Sequence, residues 1–195
     1  RLVGSEMCIR DRFYVQDRAA RMAVEIAAPK AGMRVLDACS CPGGKSFAAA
    51  IAMENRGSIL SCDIHEKKLR LVRDGAQRLG IAIIETAAMD ARAFRAELAE
   101  SFDIVIADVP CSGFGVIAKK PEIRSKTPES IAELPKIQGE ILDNVSKYVC
   151  PGGVLLYSTC TVTAEENENT VKAFLERNGE YTAEPFEVCL SLIHI

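Results

Sequence analysis

Several things are missing from this sequence, and each absence excludes a class. No apolar run approaches the roughly 20 residues needed to span a bilayer, so a membrane protein is not expected. The eight cysteines include no C-x-x-C pair, and the two histidines, His65 and His194, leave a zinc site little to build from; no metal is expected. Small disulfide scaffolds are short and loop-rich, whereas these 195 residues carry long apolar strand and helix patterns. Reduced thiols in a cytoplasmic compartment are expected, most of them as buried small hydrophobes. There is no basic excess either. Lys and Arg number 24 against 27 Asp and Glu, for a net charge of -3, which counts mildly against a nucleic-acid partner. Internal repeats and low-complexity linkers are absent. The chain starts at Arg1, without an initiator Met or a signal-peptide pattern, and reads as a fragment or processed piece.

What is present is ordinary for one globular domain: 48% hydrophobic and 26% charged residues. Residues 1–11 and 188–195 resemble translated sequencing adapter and are expected to be non-native, which leaves a domain over 12–187. Within it, strands and helices alternate. Helices are predicted near 14–28, 45–54, 65–79, 92–100, 128–148 (interrupted by Pro135) and 164–177. Strands are predicted at 34–38, 58–62, 81–86, 102–107 and 154–158, with a weak one around 181–187. This order implies right-handed βαβ units and a mostly parallel, doubly wound sheet, with ligands beyond the carboxyl ends of the strands.

After the first strand stands D-A-C-S-C-P-G-G-K-S, Asp37 to Ser46. Gly43 and Gly44 let a backbone approach a ligand, and the next helix aims its N-terminal amides there. Asp63, at the end of strand two, suits the two hydroxyls of a ribose, and Asp90, after strand three, suits an adenine amino group. A dinucleotide site would need G-x-G-x-x-G, which is absent. A P-loop would need G-x-x-x-x-G-K-[ST]; Gly44, Lys45 and Ser46 match, but Cys39 stands where Gly is required. Ile104–Asp108 even imitates the strand-plus-Asp that holds magnesium in such enzymes. S-adenosylmethionine needs only a short Gly turn and two acids. These readings, and that of a tight turn with no ligand, stay open on this segment.

Strand four runs into D-V-P-C-S-G and strand five into Y-S-T-C-T. Neighbouring strands lie about 5 Å apart, so Cys111 and Cys160 would emerge together beside the cofactor turn. Two thiols and a carboxylate there suit methylation of a pyrimidine at carbon 5, a poor nucleophile until a thiolate adds to carbon 6. A base must then remove the carbon-5 proton. The thiolate needs a lowered pKa, favoured by positive charge such as Lys45. Asp108, if buried, could serve N3 as an acid.

The ordered runs D-A-C-S-C-P-G-G-K, D-V-P-C-S-G, G-V-I-A-K-K-P-E-I-R, Y-S-T-C-T and E-E-N-E-N resemble the RNA (cytosine-5)-methyltransferases over about residues 13–178. The likeness is to the bacterial 16S ribosomal RNA branch, the Sun/Fmu (RsmB-like) family. It implies a class I S-adenosylmethionine-dependent, Rossmann-like α/β fold, C-terminally truncated because the family's domain continues with a final hairpin. It also implies cofactor contacts by Cys39, Ser40, Cys41, Pro42, Gly43, Gly44, Lys45, Asp63, Asp90 and Asp108. Cys160 becomes the nucleophile and Cys111 the thiol that assists product release, so the expected catalytic set is Cys160, Cys111, Asp108 and Lys45. Ser40 and Cys41 stand where the family usually has two alanines. Lys119, Lys120, Arg124 and Lys126 form the one basic cluster close to the site and are expected to contact RNA phosphates around an extruded cytosine. The expected partner is 16S rRNA, bound by a monomer, with most RNA affinity in an upstream region. Another RNA (tRNA or 23S rRNA), an inactive cofactor- or RNA-binding remnant and a P-loop NTPase remain the alternatives.

Overall fold

Every second residue of an extended strand faces the same way, and two strands here are apolar on both sides. In β1 (Arg34–Asp37) and β4 (Phe102–Asp108), Val35, Ile104 and Ile106 meet Val24, Ala49, Ala50 and Met53. Leu36, Val105 and Ala107 meet Ile141, Leu142, Val145 and Phe174 on the opposite face. A strand covered on both faces belongs in the middle of a parallel sheet. The computed structural model, which describes residue 14 and residues 16–185, puts both there. The sheet order is β3-β2-β1-β4-β5, with β2 at Ser58–Asp63, β3 at Ile84–Ala88 and β5 at Val149–Ser158; all pairings are parallel. The expected non-native ends, with Cys8, Cys189 and His194, lie outside the described residues.

Helices α1 (Arg18–Ala27), α2 (Gly44–Ala52) and α3 (Glu66–Leu79) cover one face. Beyond a short α4 (Pro128–Ile131), α5 (Leu134–Val145) and α6 (Glu168–Arg177) cover the other. Asp17 caps α1 by accepting from the Ala19 amide at 2.9 Å. Gly80 closes α3 in the left-handed conformation, φ 67°. Pro135 sits in the first turn of α5, where a missing N–H costs nothing, so the predicted break falls just before it. Among the described residues, no helix is long and apolar enough to cross a membrane.

Several predicted elements differ: β5 begins at Val149 rather than 154 and α6 at Glu168 rather than 164. The helix expected near 92–100 is only a 3-10 turn, Ala96–Leu98. Its backbone groups are taken by distant side chains: Asn144 Nδ2 donates to the Ala91 carbonyl at 2.7 Å, and Tyr148 Oη accepts from the Arg95 amide at 2.8 Å and donates to the Ala93 carbonyl at 3.2 Å. The third strand starts at Ile84 because Ile81 is still bonded to α3 through the Ala76 carbonyl, 2.9 Å. Residues 181–185 form no strand; the Tyr181 hydroxyl instead donates to the Ser146 carbonyl at 2.7 Å, and 186–187 lie outside the described residues.

The chain builds outward from β1 to β3, then returns to place β4 on the other side of β1. This reversal opens a crevice at the carboxyl ends of β1 and β4.

Candidate active site

The crevice is floored by the turn from β1 into α2. Its peptide bond between Cys41 and Pro42 is cis, and Gly43 has φ 110°. A Cβ on Gly43 would sit 2.6 Å from the ring of Phe47, so both conformation and space require glycine. The turn is folded on itself: the Ser40 amide donates to the Cys62 carbonyl at 2.7 Å and the Gly43 amide to the Ser40 carbonyl at 2.6 Å. That closure is unlike a broad phosphate-cradling loop. Gln16 pins it from outside by donating to the Gly44 carbonyl at 2.9 Å. The N-terminus of α2 has no side-chain cap.

Beneath the turn lies a residue that the sequence reading quoted without a role. Asp37 is wholly buried; one oxygen accepts from Ser46 Oγ at 2.6 Å and the other has no partner. Burial, opposed by the Ser46 hydrogen bond and aided by Asp108, pushes its carboxyl up to about 7. The buried Ser40 hydroxyl also has no partner. Asp63, half-buried at the end of β2, accepts from the His65 amide at 2.8 Å. Asp90, beyond β3, is gripped by Arg92 at 2.8 Å, which holds its carboxyl below the usual range.

The register Asp108↔Ser158 brings the ends of β4 and β5 together, and the two loops they release carry the thiols. Cys111 Sγ and Cys160 Sγ are 3.2 Å apart, and the Cys160 amide donates to Cys111 Sγ at 3.3 Å. Cys160 is exposed. The hydrogen bond from Cys111 is the main influence that brings its thiol down to about 6, against burial and Asp108 and with help from Lys120. Cys111 is correspondingly pushed far up, by that same bond and by burial. The contact thus pushes the two thiols in opposite directions, Cys160 down and Cys111 up.

Two assignments of charge change. Lys45 Nζ lies 2.7 Å from Asp108 Oδ2, and the cation that helps lower Cys160 is Lys120. Asp108 is not buried but 38% exposed in its side chain, and its other oxygen accepts from Ser158 Oγ at 2.9 Å. The burial on which an acid role rested is absent. Cys39 and Cys41 also flank the turn, but burial raises both, Cys41 to about 11.

The basic loop divides. Lys119 pairs with Asp17. Lys126 Nζ donates to the Ser112 carbonyl at 2.7 Å and so braces the Cys111 loop. Lys120 and Arg124 remain exposed. The E-E-N run precedes α6 rather than opening it. Buried Glu166 accepts from the Ser112 amide at 2.8 Å and from Gln138 Nε2 at 2.9 Å. A groove of about 510 Å³ between α5 and α6, lined by Gly139, Asp143, Asn169 and Arg177 among others, contains neither thiol nor any part of the turn. Among the described residues, no group of three or more His, Cys, Asp or Glu side chains could hold a metal.

The family described as 16S rRNA methyltransferase RsmB/F matches residues 24–192. The chain is 41% identical over 182 residues to the probable ribosomal RNA small subunit methyltransferase B of Bacillus subtilis, covering 92% of this chain and 41% of that protein. It is 40% identical over 168 residues to ribosomal RNA small subunit methyltransferase B of Vibrio cholerae, covering 85% and 38%. The chain thus spans about two-fifths of these curated relatives. Among solved structures, NSun6 from Pyrococcus horikoshii superposes with a TM-score of 0.75 at 30% identity, over 86% of this chain and 43% of that one. A SAM-dependent O-methyltransferase of Thermotoga maritima, at 16% identity and TM-score 0.57 over 92% of this chain and 56% of its own, shares the fold.

Proposed function

Because the chain belongs to the 16S rRNA methyltransferase RsmB/F family, we propose that it carries the chemistry of methyl transfer from S-adenosylmethionine to carbon 5 of a cytosine in 16S ribosomal RNA. The observation that carries this reading is the 3.2 Å approach of Cys111 and Cys160 at the ends of adjacent strands. One lowered and one raised thiol match a nucleophile and a partner that retains its proton.

The crevice fits the cofactor. Asp63 has a second carboxylate oxygen for ribose hydroxyls, exposed Ile64 adds apolar surface beside it, and the uncapped end of α2 faces the turn. The unpartnered oxygens of Asp37 and Ser40 are polar groups in want of a hydrogen-bond donor or acceptor. The residues from Cys39 to Lys45, with Asp63, Asp90 and Asp108, would hold the cofactor. NSun6 from Pyrococcus horikoshii was solved with SFG, an S-adenosylmethionine analogue. When bound, S-adenosylmethionine supplies an electrophilic methyl group.

The chain's own residues supply the rest. The Cys160 thiolate bonds to carbon 6, and the ring electrons displaced toward carbon 5 make that carbon nucleophilic. Once carbon 5 carries the methyl group, a solvent water takes the carbon-5 proton, the C–H electrons re-form the 5,6 double bond, the sulfur–carbon bond breaks and Cys160 leaves as a thiolate. Cys111, in contact with that sulfur, assists this release. The Lys45–Asp108 pair fixes the ends of β4 and the turn relative to each other. Exposed Lys120 and Arg124 are placed to meet phosphates. An rRNA substrate accords with a cytoplasmic protein.

RNA containing 5-fluorocytosine tests the reading, because fluorine at carbon 5 blocks release. The native chain is expected to form a denaturation-resistant adduct with a 16S fragment, and Cys160→Ser to lose adduct and methylation by at least about 10³-fold. A Cys160→Ser variant that still methylates would overturn the assignment, no adduct with any RNA would leave a binding remnant, and adducts confined to tRNA or 23S fragments would move the substrate.

A further inference from the structure

We propose that Glu166 is a positioning residue that sets the separation of the two reactive thiols, by fastening the Cys111 loop to the Cys160 loop through one buried carboxylate. The inference deepens the proposed function and rests on its two-thiol reading.

Glu166 is 3% exposed, so a helix dipole does not account for it; α6 begins only at Glu168. A buried carboxylate is costly unless well supplied with donors, and this one has three from three places. Its Oε2 accepts from the Ser112 amide, the residue after Cys111, at 2.8 Å, and from Gln138 of α5 at 2.9 Å. Its Oε1 accepts from Thr163 Oγ1, beyond Cys160, at 3.0 Å. Burial raises its carboxyl, but the bonds from Ser112, Gln138 and Thr163 together bring it below the usual range.

The surroundings extend the same fastening. Gln138 also donates to the Pro110 carbonyl at 3.0 Å, so both residues flanking Cys111 are tied to Glu166. Ser112 Oγ and Thr161 Oγ1 are 2.7 Å apart and join the loops directly. Asn167, the next residue, holds the other loop from within: its Nδ2 donates to the Thr163 carbonyl at 2.9 Å and its Oδ1 accepts from Thr159 Oγ1 at 2.6 Å. The Tyr157 hydroxyl, on β5, donates to the Glu166 carbonyl at 2.6 Å. Glu166 touches neither sulfur. It acts through the two loops that carry them, and reach matters more than charge.

The test uses the whole chain with Glu166→Gln, Glu166→Asp and Glu166→Ala. Two readouts are taken on variants whose thermal melts remain cooperative: the pH dependence of Cys160 alkylation by iodoacetamide, resolved by mass spectrometry, and the rate of Cys111–Cys160 disulfide closure by oxidised glutathione. A Gln amide oxygen can accept from Ser112 and Gln138 while its NH₂ group donates to the Thr163 hydroxyl, so Glu166→Gln is expected to match the native chain in both. Glu166→Asp, one methylene short, and Glu166→Ala are expected to alkylate roughly fivefold more slowly at pH 6.5, as the midpoint moves toward the ordinary thiol value, and to close the disulfide at least about fivefold more slowly.

The proposal is overturned if Asp matches the native chain, or if Gln loses as much as Asp. Should the Ala variant not fold, the contrast between Gln and Asp decides alone. Disulfide closure reports spacing whichever sulfur attacks RNA. An ordinary native alkylation midpoint with closure still dependent on Glu166 would therefore sink the proposed function and leave the clamp standing.

Discussion

Two ends of the same sheet edge carry cysteines, and the fold treats them oppositely. Around the β1 turn, Cys39, Cys41 and Cys62 are all pushed up, chiefly by burial and then by neighbouring carboxylates. At the ends of β4 and β5, Cys160 is brought down by a hydrogen bond from a second thiol and by Lys120. Asp108 opposes ionisation at both ends, so the carboxylate does not explain the contrast. A donor also lowers Cys62, through the Ala87 amide, but burial outweighs it; at Cys160 the bond from Cys111 outweighs burial. Cysteine count says nothing about reactivity here; the partner of each sulfur does.

The largest effect expected from this contrast is selectivity. At pH 7, iodoacetamide should modify Cys160 on the order of 50-fold faster than Cys41, after allowing for the weaker intrinsic nucleophilicity of a low-pKa thiolate; peptide mapping over time measures the ratio, and comparable rates would erase the distinction. Cys111→Ala should make the two regions more alike. With its donor gone, the Cys160 alkylation midpoint should climb from near 6 toward about 8.5, slowing modification at pH 6.5 roughly fivefold. The smallest effect lies beneath the β1 turn. Asp37 is raised to about 7 in the folded chain, above its unfolded value of about 3.9, so folding favours its protonated form. Its contribution to stability is present below the unfolded value and lost as pH rises through 7. Asp37→Asn should therefore gain in melting temperature relative to the native chain between pH 4 and pH 8; a constant difference would show that the carboxyl is not so raised.

Much of this was legible in the sequence because it depends on chain-local pattern. Doubly apolar strands such as Ile104–Ala107 belong in the centre of a sheet, and residues just past strand ends face the crevice; Asp63, Cys111 and Cys160 could be found that way. The interactions that set electrostatics were not legible, because they join distant segments. Lys45 meets Asp108 across 63 positions of sequence, and no local rule separates it from Lys120 as the cation beside the thiolate. The expected helix near 92–100 failed for the same reason: Asn144 and Tyr148, some fifty residues later, take its backbone groups. Glu166 falls at the start of the helix expected over 164–177, where an acid is ordinary, and its bonds to Ser112 and Gln138 again join distant segments.

The sulfurs hang from loops that leave adjacent ladder-paired strands at Asp108 and Ser158, where the spacing of about 4.8 Å is a property of backbone hydrogen bonding. Crossovers other than the one from β4 to β5, which carries Gln138, can therefore lengthen without moving the strand ends from which the reactive couple hangs. The irregularity between Phe102 and Ile104 lies at the far end of that ladder, and the pairing from Ile104↔Val154 to Asp108↔Ser158 runs on to the site without another shift.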